Sequence, residues 1–196
     1  MKKVILLDSY IISNQNSYSH NILNLIENKL TSRGHLVERY DLNKTHSKTV
    51  LSADNISTYY NDIESDKWID LLKSSNVLVI GMPMVNFGPA TVVKNFIDSI
   101  AIAEKTFSYK NSTNGMPVGY LDNLKVVIVG TQGSPEGATF GQSHVDWLKS
   151  ALTFLGVKDF EVIKCFGTSL SPHSDLTMQE SVKLFENQVD KIIQSI

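Results

Sequence analysis

The side chains best suited to bind a ligand lie in the segment Met82–Pro89. This segment follows an apolar run, Val77–Gly81, that is typical of a strand buried on both faces. It precedes an amphipathic helix pattern over Thr91–Ala103. Ligands of open α/β sheets bind at such strand–loop–helix corners. Asn86 and Phe87 offer an amide and a flat apolar face, a combination that suits a planar heterocycle better than a bare phosphate.

A second candidate is the segment Ser9–Ser19, in which hydroxyl and amide side chains predominate. It ends where the helix pattern Tyr18–Arg33 begins, and a helix N-terminus offers free N–H groups and partial positive charge to a phosphate. The chain has neither a Walker lysine motif nor G-x-G-x-x-G. This argues against a nucleoside triphosphate or a Rossmann dinucleotide and favours a phosphomonoester held by neutral donors. The alternative is that Ser17 is only an N-cap in an ordinary polar loop.

The third candidate is Thr131–Gly137, which follows the apolar run Leu124–Gly130. Its glycines would let the backbone pass close to a flat ligand. Taken alone, this segment could be a flexible surface loop, and Pro83–Phe87 could be an ordinary strand-to-helix turn. Three such loops at neighbouring strand ends support a binding site more strongly than any one of them.

Strand and helix patterns alternate along the whole chain. The predicted strands are Lys3–Asp8, His35–Leu42, Val77–Gly81, Leu124–Gly130 and Phe160–Phe166. The predicted helices are Tyr18–Arg33, one broken helix or two short ones within Asp54–Ser74, Thr91–Ala103, Phe140–Leu155 and Leu176–Ile196. The alternation predicts a single flavodoxin-like α/β domain over residues 1–196, a doubly wound parallel sheet of order 2-1-3-4-5. In that order the three candidate loops lie side by side.

Two further segments carry local signals. Thr177 and Glu180 have the spacing of a capping box at the start of the last helix. Glu104–Asn123 is the longest irregular segment, and a loop of that length in a compact domain is usually functional or covers something.

Composition excludes several classes of protein. The 196 residues are 42% hydrophobic, as expected of a globular domain with a sizeable core. A net charge of −2 gives no basic footprint for nucleic acid, and the apolar runs are too short to span a membrane. The apolar run after Met1 ends at Asp8, too early for a signal peptide, and the single Cys165 fits a reducing compartment. We therefore expect a cytoplasmic protein.

The remaining reactive side chains do not form a recognisable catalytic set. No metal-ligand spacing relates the three N-terminal histidines, His20, His35 and His46. His144 follows the third loop closely enough to approach a ligand, but its place on a helix favours a surface or capping role. Cys165 is expected to pack as a small apolar residue, and no G-x-S-x-G nucleophile motif is present.

Three motifs resemble those of the FMN-dependent NADH-azoreductases, also described as NADH:quinone oxidoreductases. They are Pro83-Met84-Val85-Asn86-Phe87, Lys94-Asn95-Phe96-Ile97-Asp98 and Lys105-Thr106-Phe107-Ser108-Tyr109. The family pattern is close to P-M-Y-N-F-x-x-P-x-x-L-K-x-[YF]-[IL]-D-x-[IV], followed by K-T-F-x-Y, and the spacing matches across nearly thirty residues. Ser17-Tyr18-Ser19 resembles the family's serine-rich phosphate loop, and the similarity covers the whole length.

This resemblance implies a flavodoxin-like homodimer with one FMN per subunit, bound at the dimer interface. It places the ribityl phosphate against Ser9, Ser17, Tyr18 and Ser19. It places the isoalloxazine ring against Pro83, Met84, Val85, Asn86 and Phe87, with the Asn86 amide on its polar edge. It places the ring's other polar edge against Thr131, Gln132, Gly133 and Ser134. Phe107 and Tyr109 would shape the substrate pocket, together with the other subunit.

Two departures from the family pattern concern the ring. Val85 replaces the usual aromatic residue, and the segment 131–134 lacks the second glycine and the common arginine.

The resemblance implies an oxidoreductase in which NADH and then a quinone or azo compound occupy one site in turn, with ping-pong kinetics. No side chain is assigned as catalytic, because the flavin carries the redox chemistry. One alternative is a flavodoxin-like electron carrier, although flavodoxins are usually strongly acidic and this chain carries only −2. The other is a phosphate-binding hydrolase without flavin. Colour of the purified protein and bleaching by NADH distinguish these functions.

Overall fold

Five parallel strands form the central sheet of the computed structural model, which describes residues 1–138 and 143–196. The strands of these residues are β1 (Lys3–Asp8), β2 (Leu36–Asp41), β3 (Val77–Val85), β4 (Gly88–Pro89), β5 (Phe107–Thr113), β6 (Met116–Gly119), β7 (Lys125–Gln132) and β8 (Asp159–Phe166). The order across the parallel sheet is β2-β1-β3-β7-β8, with β4 paired antiparallel to the end of β3. This confirms the predicted 2-1-3-4-5 order of the five principal strands.

Helices cover both faces of the sheet. They are α1 (Tyr18–Ser32), α2 (Leu42–Thr45), α3 (Tyr59–Asp62), α4 (Ser65–Lys73), α5 (Thr91–Ile100), α6 (His144–Phe154), α7 (Met178–Lys183) and α8 (Glu186–Gln194). Helices α1 and α8 share one core with alternate residues of β1, β3 and β7, whereas α4, α5 and α6 pack on the opposite face. Because both faces are covered, the central strands are apolar throughout. In residues 1–138 and 143–196, no helix combines the length and the apolar character that crossing a bilayer requires.

Two predicted helices end differently in the structure. Helix α5 stops at Ile100 instead of Ala103, because the Thr106 hydroxyl donates a hydrogen bond to the Ile100 carbonyl (2.5 Å) and ties down the last turn. The last predicted helix is divided into α7 and α8, while its capping box between Thr177 and Glu180 is confirmed. The predicted start of the fourth helix at Phe140 lies outside the described residues.

The segment Glu104–Asn123 is not irregular, because it contains the antiparallel hairpin β5–β6. Its turn, Asn114-Gly115, has φ values of 53° and 78°. Two residues with positive φ are the requirement of a type I′ turn, and Asn-Gly is the pair that meets it most readily. The hairpin is anchored at its far end, where the Leu121 N–H donates to the Leu155 carbonyl (2.8 Å).

Parallel pairing brings the loops that follow β1, β3, β7 and β8 to one edge of the sheet. In register, Leu7 lies opposite Ile80 and Pro83 lies opposite Thr131. Strand β3 continues to Val85, four residues beyond its predicted end, so it carries the Asn86 segment above the edge.

Candidate functional site

Four loops meet around a small cavity of about 140 Å³ at the carboxyl edge of the sheet. It is lined by Ile11, Ile12, Ser17, Tyr18, Pro83, Met84, Thr131, Gln132, Gly133 and Thr168. The structure thus brings together residues from all three loops that the sequence singled out. The other predicted cofactor residues do not line this cavity; they are Ser9, Ser19, Val85, Asn86, Phe87 and Ser134. Thr168, which follows β8, and the exposed pair Ile11 and Ile12 were missed by the sequence analysis.

The first loop ends in a helix N-terminus suited to an anion. Ser17 is the N-cap of α1, and its hydroxyl accepts a hydrogen bond from the His20 N–H (3.3 Å) and lies 3.2 Å from the Ser19 hydroxyl. The N–H groups of Tyr18 and Ser19 have no acceptor within the helix, because they belong to its first turn. No acidic residue occupies that turn. The partial positive charge at this end of the helix is therefore available to a phosphate.

Ser9 is placed differently from the other serines. It is buried, and its hydroxyl donates a 2.6 Å hydrogen bond to the Gly81 carbonyl. This bond ties the end of β1 to β3. The Ser9 proton is therefore already engaged, although its oxygen can still accept a hydrogen bond.

The second loop is a tight two-residue turn between β3 and β4. Val85 pairs with Gly88, and the residues between them, Asn86 and Phe87, have φ values of 46° and 69°. This is type I′ geometry, in which the second central position is normally glycine. A non-glycine residue in the left-handed region costs about 1–2 kcal/mol, and asparagine tolerates it best. The rest of the structure therefore holds Phe87 in a strained conformation, at a position that leaves 52% of its surface exposed.

Hydrogen bonds join the third and fourth loops into one wall of the cavity. The Gln132 carbonyl accepts hydrogen bonds from the N–H and the hydroxyl of Thr168, both at 3.1 Å. The Ser169 N–H donates to the Gly133 carbonyl at 3.1 Å, and a Cβ on Gly133 would lie 2.7 Å from the Ser169 hydroxyl. A larger residue at position 133 would therefore require the Ser169 hydroxyl to move.

Gln132 leaves one hydrogen-bonding group unsatisfied. Its Nε2 donates to the carbonyls of Ser134 (3.1 Å) and Pro135 (3.0 Å), but its buried Oε1 has no hydrogen-bond partner among residues 1–138 and 143–196. A buried acceptor without a donor is uncommon in folded proteins. An N–H group of a bound ligand would satisfy it. The site therefore fits a molecule that carries both an anionic group, for α1, and a polar heterocycle with an N–H donor.

The prediction that His144 is a surface or capping residue is wrong. The side chain is buried, and neither ring nitrogen has a hydrogen-bond partner within the part of the chain that the structure describes. Its ring lies 5.8 Å from that of Phe166. Burial lowers the pKa of His144 to about 4, an effect that the backbone groups of Met82 and Thr131 oppose only in part. His144 is therefore uncharged near neutral pH, behind the wall of the site.

Phe107 and Tyr109, the predicted substrate-pocket residues, lie on the hairpin and not against the four-loop cavity. Phe107 is buried, whereas Tyr109 is 63% exposed. Their rings and that of Phe154 form an aromatic cluster, with centroid separations of 5.3 Å (Phe107–Tyr109) and 4.7 Å (Phe107–Phe154). Cys165 packs as predicted: it is buried, and burial raises the pKa of its thiol to about 12.

Known structures share this fold. The azoreductase from Bacillus anthracis str. Sterne matches with a TM-score of 0.80 at 18% identity, over 100% of both chains. The FMN-dependent NADH-azoreductase from Bacillus anthracis str. Ames Ancestor, solved in complex with FMN, gives 0.78 at 19% identity and covers 98% of this chain and 100% of that one. At such low identity these likenesses establish the fold alone.

Sequence relatives go further. A family model described as a flavodoxin-like fold matches residues 2–189. The chain is 43% identical over 188 residues to the FMN-dependent NADH:quinone oxidoreductase of Mycoplasmopsis synoviae, covering 94% of each. It is 36% identical over 195 residues to the protein of that name from Mycoplasma pneumoniae, covering 98% of each. The chain therefore belongs to the flavodoxin-like family of FMN-dependent NADH:quinone oxidoreductases.

Proposed function

We propose that this protein takes a hydride from NADH and passes it to quinones and aromatic azo compounds, with FMN as its resident cofactor. The observation that carries the proposal is the meeting of an unneutralised helix N-terminus and the unpaired Gln132 acceptor around one cavity. A flavin mononucleotide presents a phosphate and a heterocyclic N–H, the two groups that this pair would bind. The family relatives named for FMN and NADH support the same assignment.

The residues that we propose to hold FMN divide by chemistry. The helix N-terminus at Ser17, Tyr18 and Ser19 receives the phosphate, and Ser9 supports that loop through its bond to Gly81. Pro83 to Phe87 receive one side of the ring, with the Asn86 amide on a polar edge. Thr131 to Ser134 receive the other polar edge, where Gln132 accepts from an N–H. When bound, FMN supplies two-electron acceptance and donation, which no side chain of the described residues provides.

The chain's own contribution to the chemistry is orientation and access. The Asn86-Phe87 turn is closed by the pairing of β3 with β4, and hydrogen bonds join the third and fourth loops, so these loops can hold a ring without a large ordering cost. No strong acid or base is required, because solvent reaches an open site. We propose that NADH and the acceptor use the same opening in turn, which gives ping-pong kinetics.

We further propose that quinones are better acceptors than bulky azo dyes. Val85 stands where the family pattern has an aromatic residue, so the wall beside the ring is smaller and offers less stacking surface. A quinone needs only a flat slot. An azo dye gains more from an aromatic wall.

We propose that the active form is a homodimer, which completes the substrate pocket. The hairpin and α6 enclose a depression of about 540 Å³ whose walls include the exposed Met116 and Phe154. Tyr109 lies beside it, also exposed. Apolar side chains exposed on one face favour a protein contact. A cytoplasmic location, predicted from the single cysteine, belongs to the same proposal.

The test begins with the cofactor. The purified protein should be yellow and release FMN, not FAD, on denaturation. With NADH as donor, a small benzoquinone should be reduced faster than an azo dye. A colourless protein that takes up no added FMN would refute the proposal. If NADH reduces the flavin but neither acceptor oxidises it faster than oxygen does, the electron-carrier function would be favoured instead.

A further inference from the structure

A cavity of about 450 Å³, larger than the four-loop cavity, opens at the carboxyl ends of β1 and β2. It is lined by Asp8, Tyr10, Asn14, His20, Arg39, Tyr40, Asp41, Lys44 and Thr45. The first loop separates the two cavities: Tyr10 and Asn14 face this one, whereas Ile11 and Ile12 face the proposed flavin site. A ligand with two linked halves could therefore occupy both sides of one loop.

The charges of this cavity are largely balanced within the protein. Arg39 is held by Asp8 (2.6 and 3.2 Å) and by Glu27 (2.5 Å). Asp41 accepts hydrogen bonds from the Tyr10 hydroxyl (2.7 Å) and the Asn43 N–H (2.9 Å). The bond to Asp41 raises the pKa of Tyr10, so the phenol stays protonated. Because the cavity is lined by two carboxylates and two cations, it suits a neutral polar ligand better than a bare anion.

Its walls also offer flat surfaces. The rings of Tyr10 and His20 meet edge to face at 5.4 Å, and Tyr40 is fixed edge to face on Trp68 at 5.2 Å. Rings held in this way can stack on a heterocycle without losing much conformational freedom. Asn14 and the two acidic residues can pair with the amino and hydroxyl groups of a nucleoside.

Two cations line the cavity, Arg39 and Lys44. Of these, only Lys44 has no fixed partner among residues 1–138 and 143–196. It is exposed, in the last turn of α2, and takes part in none of the ion pairs of that part of the chain. Its ammonium can therefore pair with a phosphate that leads into the cavity.

We infer that this cavity binds the adenosine end of NADH, with Lys44 contacting the pyrophosphate. The inference rests on the proposed function, since the nicotinamide end must reach the flavin site across the first loop. Because FMN is proposed to occupy the four-loop cavity, the adenosine half of NADH needs a separate place.

The direct test is calorimetric titration of the FMN-loaded protein with ADP-ribose, which carries the adenosine and pyrophosphate but no nicotinamide. Lys44→Glu should weaken ADP-ribose binding about fivefold or more at low salt, because a charge near the pyrophosphate is reversed. Lys73→Glu is the matched control. Lys73 is also an exposed last-turn lysine, but it lies at the opposite edge of the sheet, just before β3 begins. We expect Lys73→Glu to bind ADP-ribose with the affinity of the wild type.

A kinetic arm compares NADH with reduced nicotinamide mononucleotide, which lacks the adenosine half. In stopped-flow reduction of the flavin, the wild type should bind NADH more tightly than the mononucleotide. Lys44→Glu should weaken NADH and leave the mononucleotide unchanged. Equal ADP-ribose affinity in wild type and Lys44→Glu, or equal apparent affinity for the two donors in the wild type, would overturn the inference. If neither donor bleaches the flavin, the proposed function is wrong. The ADP-ribose titration would still show whether this cavity binds an adenosine diphosphate group.

Discussion

Substitution of Asn86 separates its role in the β3–β4 turn from the proposed contact of its amide with the flavin. Asn86 holds the first central position of a type I′ turn with φ of 46°, and its amide is proposed to contact the flavin ring. Asn86→Ala removes both the amide and the tolerance of the left-handed conformation. Asn86→Gly removes the amide alone. Comparison of the two variants therefore divides backbone strain from ligand contact.

The magnitudes follow from those two terms. Alanine in the left-handed region costs about 1 kcal/mol or more relative to glycine, so the apoprotein should lose that much unfolding free energy in Asn86→Ala only. Loss of a hydrogen bond that leaves a buried ring atom unpaired costs about 1–3 kcal/mol, which corresponds to a roughly 5- to 150-fold weaker Kd for FMN in both variants.

The assays are urea unfolding of the apoprotein and titration of FMN by the quenching of its fluorescence. Asn114→Ala is the matched control, since Asn114 holds the same turn position in the β5–β6 hairpin, with φ of 53°. It should lose stability without losing FMN affinity. Unchanged FMN affinity in both Asn86 variants would show that the ring does not contact this amide. Equal stability of Asn86→Ala and Asn86→Gly would refute the turn assignment.

Three further predictions concern stability and assembly. Burial lowers the pKa of His46 and His144 to about 4; because these folded values lie below the unfolded value, their stabilisation is present above pH 6.5 and lost as the pH falls toward 4. Urea unfolding at pH 7.5 and 5.5 should show a loss of about 1.3 kcal/mol per histidine, and an equal or higher stability at pH 5.5 would contradict this. Gly156→Ala should cost about 2 kcal/mol or more, because its Cβ would lie 2.7 Å from the Gly119 carbonyl carbon at a φ of 109°; Gly115→Ala, with open space around its Cβ, should cost less in the same unfolding assay. Light scattering at micromolar concentration should give the mass of a dimer, and a fully active monomer would exclude the proposed shared pocket.

The parallel sheet could be predicted because its signal is local. A strand covered on both faces must be apolar at every position, and Val77–Ile80 shows this without any knowledge of the partners. The hairpin was also predictable and was missed. Asn114-Gly115 is a strong short-range hairpin signal, but the search for buried runs passed over β5 and β6, which are largely polar or exposed.

The site was predictable in its loops and not in its contacts. The serine-rich segment and the Asn86-Phe87 turn can be recognised from their local composition. Thr168, in contrast, reaches the cavity only because β8 pairs with β7. The burial of His144 depends on how α6 is rotated at its first turn. The hydrophobic periodicity of a helix does not determine that rotation to within one residue. The bond of Arg39 to Asp8 spans 31 residues of chain and follows from the pairing of β2 with β1. The bond of Arg39 to Glu27 spans 12 residues and follows from the packing of α1 on the sheet.

Anaerobic double-mixing stopped flow on the FMN-loaded protein is the decisive measurement of hydride transfer through the flavin. NADH alone should bleach the flavin absorbance completely, and a small benzoquinone added after the NADH is consumed should restore it faster than oxygen does. Flavin reduction should occur without quinone, and flavin reoxidation should occur after NADH has been consumed, as ping-pong kinetics requires. A flavin that NADH cannot bleach, or that regains its colour only when NADH and quinone are bound together, would contradict the account.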